Sequence, residues 1–85
     1  MTYQDVNEPV SVIALYERGR IEPIRIKWRE RVYHIAETHR IWTEPIGGVK
    51  YMHIAVSAKE SGDAFELVID PCDLSWRLAR VSLPG

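Results

Sequence analysis

In the run Ile41-Trp42-Thr43-Glu44-Pro45-Ile46-Gly47-Gly48-Val49-Lys50-Tyr51-Met52-His53-Ile54, two strand-forming segments flank a pair of glycines. A Gly-Gly pair between runs of strand formers is a hairpin signal, because the tight two-residue turn needs positive φ at its centre. Closing the chain at Gly47-Gly48 puts Ile41 opposite Ile54 and Trp42 opposite His53. One face of the hairpin is then apolar and the other polar, the alternation expected of a half-buried antiparallel pair.

Working outward from this hairpin, turn signals recur about every ten residues, as in consecutive short strands. The segments between them are rich in Val, Ile, Tyr and Trp. None carries a sustained 3.6-residue apolar stripe with helix caps. Six strands are expected, at about 9–17, 23–28, 31–43, 49–58, 64–70 and 75–83. Their turns fall at Gly19-Arg20, Arg29-Glu30, 45–48, 60–63 and 71–73. Residues 1–8 are expected as a flexible N-terminal arm, and residues 9–85 as a single small domain.

Treating each turn as a hairpin fixes the register. Leu15 pairs with Ile24 and Ile13 with Ile26. Ile26 pairs with Tyr33, Ile24 with Ile35, Val56 with Leu67 and Ile54 with Ile69. Ile69 then pairs with Trp76 and Leu67 with Leu78. One face collects Ile13, Leu15, Ile24, Ile26, Tyr33, Ile35, Ile41, Met52, Ile54, Val56, Phe65, Leu67, Ile69, Trp76 and Leu78. Glu37 and His39 fall on that apolar face, and the phase breaks after Leu78. Both mark β-bulges, which bend a strand and re-aim its side chains. With no helix to cover the apolar face, the expected fold is all-β, a six-stranded antiparallel meander curling into a small SH3-like barrel or roll. The first strand carries apolar residues on both faces, Val10, Val12 and Ala14 beside Ile13 and Leu15. That pattern suggests a subunit contact and a homodimer.

The 85 residues carry a formal charge of −1, so no global field draws the chain to nucleic acid or to an anionic membrane. No apolar run approaches the ~18 residues of a membrane span. The single cysteine, Cys72, rules out an intrachain disulfide and fits a reducing cytoplasm, the expected location. The three histidines are too far apart on this register for a zinc site, so neither metal nor cofactor is expected. Nucleophile elbows, P-loops and HExxH helices are missing, and an enzyme is not expected.

Two surface constellations stand out. Arg18, Arg20, Arg25, Lys27, Arg29 and Arg31 form a basic cluster, while Glu60, Asp63, Glu66, Asp70 and Asp73 form an acidic one. Such runs are most often solvated surface. On the third and fourth strands, His34, Arg40, Trp42, Tyr51 and His53 share the polar face. The candidate binding residues are Arg25, Lys27, Arg29 and Arg40 for charge, with Trp42, Tyr51 and His53 for stacking or anchoring. The same aromatic residues also make sense as a cross-strand cluster that stabilises the hairpin. The first expectation is a non-catalytic binding module for nucleic acid, single-stranded above all, or for a protein partner; the alternative is a structural or oligomerisation domain that pairs through the first strand.

The run Pro23-Ile24-Arg25-Ile26-Lys27-Trp28-Arg29-Glu30-Arg31-Val32-Tyr33 is followed by Trp42, Tyr51, Phe65-Glu66-Leu67-Val68-Ile69-Asp70, Trp76-Arg77-Leu78 and Arg80-Val81. This order, from Pro23 to Val81, resembles an uncharacterised family of small bacterial all-β domains that stand alone or accompany damage-tolerance (Y-family-type) DNA polymerases. The resemblance implies nucleic acid or a replication or repair protein as partner and brings no catalytic residues. The chain differs from that pattern by an extra first strand and by the Ile46-Gly47-Gly48 turn.

Overall fold

The computed structural model describes residues 2–83. They form seven strands and no helix: β1 (Thr2–Pro9), β2 (Ser11–Glu17), β3 (Arg20–Trp28), β4 (Arg31–Ile46), β5 (Val49–Ala58), β6 (Ala64–Ile69) and β7 (Trp76–Leu83). The sheet is antiparallel throughout, in the order β1-β7-β6-β5-β4-β3-β2. The stretch expected as an N-terminal arm is strand β1, paired with β7, so there is one strand more than the sequence suggested.

β1 and β2 are the two edges of this sheet, yet only Val10 separates them in the chain. The sheet must therefore curl until its edges meet at that corner, where the Val10 N–H donates to the Trp76 carbonyl at 3.2 Å. No ladder joins β1 to β2, so the expected barrel does not close.

Strand β4 makes the curl possible. Its 16 residues would span about 53 Å fully extended, while the longest dimension of the molecule is 36 Å. Two bulges, at Ala36 and His39, bend it. Residues Arg31 to His34 pair with β3, and residues from Ile35 onward pair with β5. The β2–β3 hairpin thereby folds over the inner face of β5, β6 and β7. Ile21 and Ile26 from β3 pack there with Tyr33, Ile54, Val56, Phe65, Leu67, Ile69, Leu78 and Val81.

Three turns have positive φ at both central residues, the signature of the two-residue hairpin turn that matches strand twist. They are Arg18-Gly19 (51° and 75°), Arg29-Glu30 (50° and 65°) and Gly47-Gly48 (58° and 81°). The first closes one residue earlier than the sequence suggested. A bulge at Ile24 then adds one residue on the β3 side, so Tyr16 pairs with Ile21 before it and Val12 with Ile26 beyond it. Moving the turn by one residue keeps the facing parity of the two strands, and the single extra residue at Ile24 is what exchanges the faces of β2 relative to Ile26. Ile13, Leu15 and Ile24, expected in the core, are 51%, 47% and 44% exposed, while Ile21 and Pro23 are buried in their place.

Elsewhere the expected register mostly holds. Ile26 faces Tyr33, Ile41 faces Ile54, Trp42 faces His53, Leu67 faces Leu78 and Ile69 faces Trp76. The β5–β6 pair is offset by two residues, Val56 facing Phe65 and Ile54 facing Leu67, which leaves the face unchanged. Ile35 faces Ala58 rather than Ile24, because β4 has left β3 by then. Ile41 is 47% exposed although it faces the buried Ile54. It borders an open hollow with Ile21 and Met52 where β3 and β4 diverge.

Candidate binding face

The outer face of the sheet is built in rows that run across the strands. One row reads Trp42, His53, Val68, Arg77 and Pro9; the next reads Arg40, Ala55, Glu66, Arg80 and Asp5. Arg80 reaches this face because the bulge at Ala79 shifts the phase of β7, so that Arg80 comes opposite Glu66.

At the centre, the Trp42 and His53 rings stack at 5.2 Å between centroids with 18° between planes. The Arg40 guanidinium lies over the Trp42 ring at 4.8 Å. His53 is only 8% exposed, unusual for a polar residue on an outer face. Its Nδ1 is 3.2 Å from Glu66 Oε2 and within hydrogen-bonding geometry. Its Nε2 is also 3.2 Å from a carboxylate, Glu44 Oε2, yet makes no aligned hydrogen bond there. Direction matters as much as distance for a hydrogen bond, so Glu44 is a close neighbour of the ring and not an aligned partner. Glu66 is shared with Arg80, whose Nε lies 3.3 Å from Glu66 Oε1. Arg80 in turn lies 5.9 Å over the ring of Tyr3 from β1.

These contacts form a chain across the face: Arg40 on Trp42, Trp42 on His53, His53 to Glu66, Glu66 to Arg80, Arg80 on Tyr3. Ala55 and Ala64 sit between the taller side chains, and their small size leaves an open groove of about 360 Å³ bordered by Tyr3, Arg40, Trp42, Glu66 and Arg80.

Of the residues singled out from sequence, Arg40, Trp42 and His53 are thus brought together. Tyr51 faces Glu44 on the same side, half-buried. Arg25 and Lys27 are elsewhere. They lie on β3 opposite Ile13 and Ser11, beside the first residues of β4. Trp42 is eight residues beyond His34, up to about 26 Å along the strand. Arg29 is in the β3–β4 turn and is ion-paired with Glu8 at 2.6 Å. The basic cluster and the aromatic cluster are therefore separate surfaces.

The acidic run is largely engaged in holding the fold. Glu60 accepts the backbone N–H of His34 at 2.9 Å and also binds the His34 ring. Asp70 and Asp73 accept the backbone N–H groups of Cys72 and Ser75, fixing the β6–β7 turn. His34, His39 and His53 each have different neighbours. Among the described residues no group of three His, Cys, Asp or Glu side chains is placed to hold a metal ion.

Tyr3 and Arg80 were not among the residues singled out. Tyr3 lies in the stretch read as an arm, and no local signal pairs it with β7. The phase break after Leu78 was visible and, carried one step further, places Arg80 beside Glu66. No protein-family model, curated protein or solved structure matches this chain.

Proposed function

We propose that the protein is a non-catalytic binding module whose working surface is the outer-face groove. The observation that carries this reading is the presence of two guanidinium–aromatic pairs, Arg40 with Trp42 and Arg80 with Tyr3, on the borders of one groove with an alanine floor. Unpaired nucleic acid needs flat surfaces for its bases and cations for its phosphates, and this groove offers both. Single-stranded nucleic acid is the partner its chemistry fits best. Glu66 moderates the positive charge, which favours modest affinity with stacking as the selective part. A replication or repair protein as partner rests on the family resemblance between Pro23 and Val81 alone.

The test is a fluorescence-anisotropy titration of labelled single-stranded and duplex oligonucleotides at two salt concentrations. Binding should prefer single strands and weaken with salt. Trp42→Ala and Arg40→Ala should each impair it, while Arg25→Ala, on the separate basic surface, should leave it nearly unchanged. Loss on Arg25→Ala alone would move the site to β3. No binding at low salt would remove the nucleic-acid reading.

A further inference from the structure

The two edges of the sheet are built very differently. β1 is broken by a bulge at Val6-Asn7, with Asn7 at φ 53°, carries Asp5 and Glu8, and ends in Pro9. Bulges, charges and proline are the devices that keep an edge from pairing. β2 has none of them within its span. Ser11-Val12-Ile13-Ala14-Leu15-Tyr16-Glu17 is regular, contains no proline or lysine, and has its one charge at the end. The irregularity in the β2–β3 pair lies on β3, at Ile24. Among the described residues, β2 pairs with β3 alone. Its outward N–H and C=O groups are thus open to another strand.

We propose that β2 pairs antiparallel with β2 of a second copy of this chain, about a two-fold axis at Ala14, giving one continuous sheet across the dimer. The sequence around Ala14 is self-complementary. In this register Ala14 meets Ala14, Ile13 of one copy meets Leu15 of the other, Val12 meets Tyr16 and Ser11 meets Glu17. Residues directly opposite one another in an antiparallel pair point to the same side. The two-fold axis therefore joins outer face to outer face and inner to inner.

The rows continue into β3 on both sides of the sheet. On the inner side a row reads Ile26, Val12, then Tyr16 and Ile21 of the second copy, apolar throughout. On the outer side a row reads Arg25, Ile13, then Leu15 and Glu22 of the second copy, apolar in the middle with opposite charges at its ends. Lys27 lies in the row of Ser11, two strand spacings (about 10 Å) from Glu17 of the second copy. Pairing covers Ile13 and Leu15, which are otherwise half exposed on the outer face. It also gives the Arg25 and Lys27 surface a role that does not involve the outer-face groove. This inference stands independently of the groove and its ligand.

The experiment is light-scattering mass measurement on the full chain from low to high micromolar concentration. The wild type should show twice the chain mass. Ile13→Lys and Leu15→Glu should each raise the dimer dissociation constant by about tenfold or more. An equimolar mixture of the two variants should regain the dimer mass, because one row then pairs Lys with Glu and the other keeps Leu against Ile. Both positions are exposed, so circular dichroism should match the wild type. Glu17→Lys, at the rim of the interface, should also weaken the dimer without disturbing the fold. A wild-type monomer at high micromolar concentration overturns the proposal. So does a dimer that survives all three substitutions, and a mixture that stays monomeric overturns the Ala14-centred register.

Discussion

Glu8, near the end of β1, accepts the indole N–H of Trp28, twenty residues along the chain, at 3.0 Å. The same carboxylate takes two hydrogen bonds from Arg29, at 3.2 and 2.6 Å. Arg29 also lies over the Trp28 ring at 4.6 Å. One residue of an edge strand thus fastens the β3–β4 turn, in which Arg29 and Glu30 are both held at positive φ. Such a fork of charge-assisted bonds fixes position as much as it adds energy.

The Arg29 hydrogen bonds, then that from Trp28, hold the Glu8 carboxyl below its ordinary pKa of 4.5. Glu60 is held below its ordinary value by the His34 ring and then by the His34 backbone N–H. Because these folded-state values are depressed, the stability they contribute is full above about pH 4.5 and is lost as pH falls through the folded values. Urea midpoints of the wild type should therefore fall below that pH. Glu8→Gln should be less stable than the wild type at pH 7, with the gap closing in acid. A gap that persists undiminished at pH 2.5 would mean the contact acts through shape rather than charge.

Trp42 and His53 should be energetically coupled, since each provides the other's stacking surface. A double-mutant cycle with Trp42→Ala and His53→Ala, read by urea denaturation, should give a coupling of about 0.5–1.5 kcal/mol. Additive effects would mean the rings are neighbours without mutual stabilisation.

The turn at Arg29-Glu30 has a non-glycine residue in both left-handed positions. Glu30→Gly should stabilise the protein by about 0.5–1 kcal/mol, the relief of positive φ exceeding the extra chain entropy of glycine. Thermal denaturation measures this directly, and a lower melting temperature would count against the turn geometry.

The register of the first hairpin gives the sharpest contrast. Leu67 is fully buried, and Leu67→Ala should cost about 2–5 kcal/mol. Ile21→Ala should also be clearly destabilising, while Ile24→Ala, three residues away on the exposed bulge, should change stability by about 0.5 kcal/mol or less. Denaturation curves that reverse the order of Ile21 and Ile24 would restore the register with Ile24 in the core.

The all-β class, most of the hairpins and much of the core are legible in the order of residues. Two turns carry their own geometry: Arg29-Glu30 sets Ile26 against Tyr33, and Gly47-Gly48 sets Trp42 against His53. Alternation in β5, β6 and the start of β7 is strong enough that a two-residue error left the buried face unchanged. Breaks in that alternation located the bulges of β4 and β7. The first hairpin was not legible, because both rows of β2 are apolar and the pattern permits either face inward. There the choice fell to Ile21, Pro23 and Ile26, which pack against strands far along the chain. Long-range pairing also decided that β1 joins β7, which brings Tyr3 to Arg80 and completes the groove. Local turn chemistry sets a register between neighbours in sequence. Where both faces are equally apolar, or the pairing strands lie at opposite ends of the chain, only burial in the assembled core selects the answer.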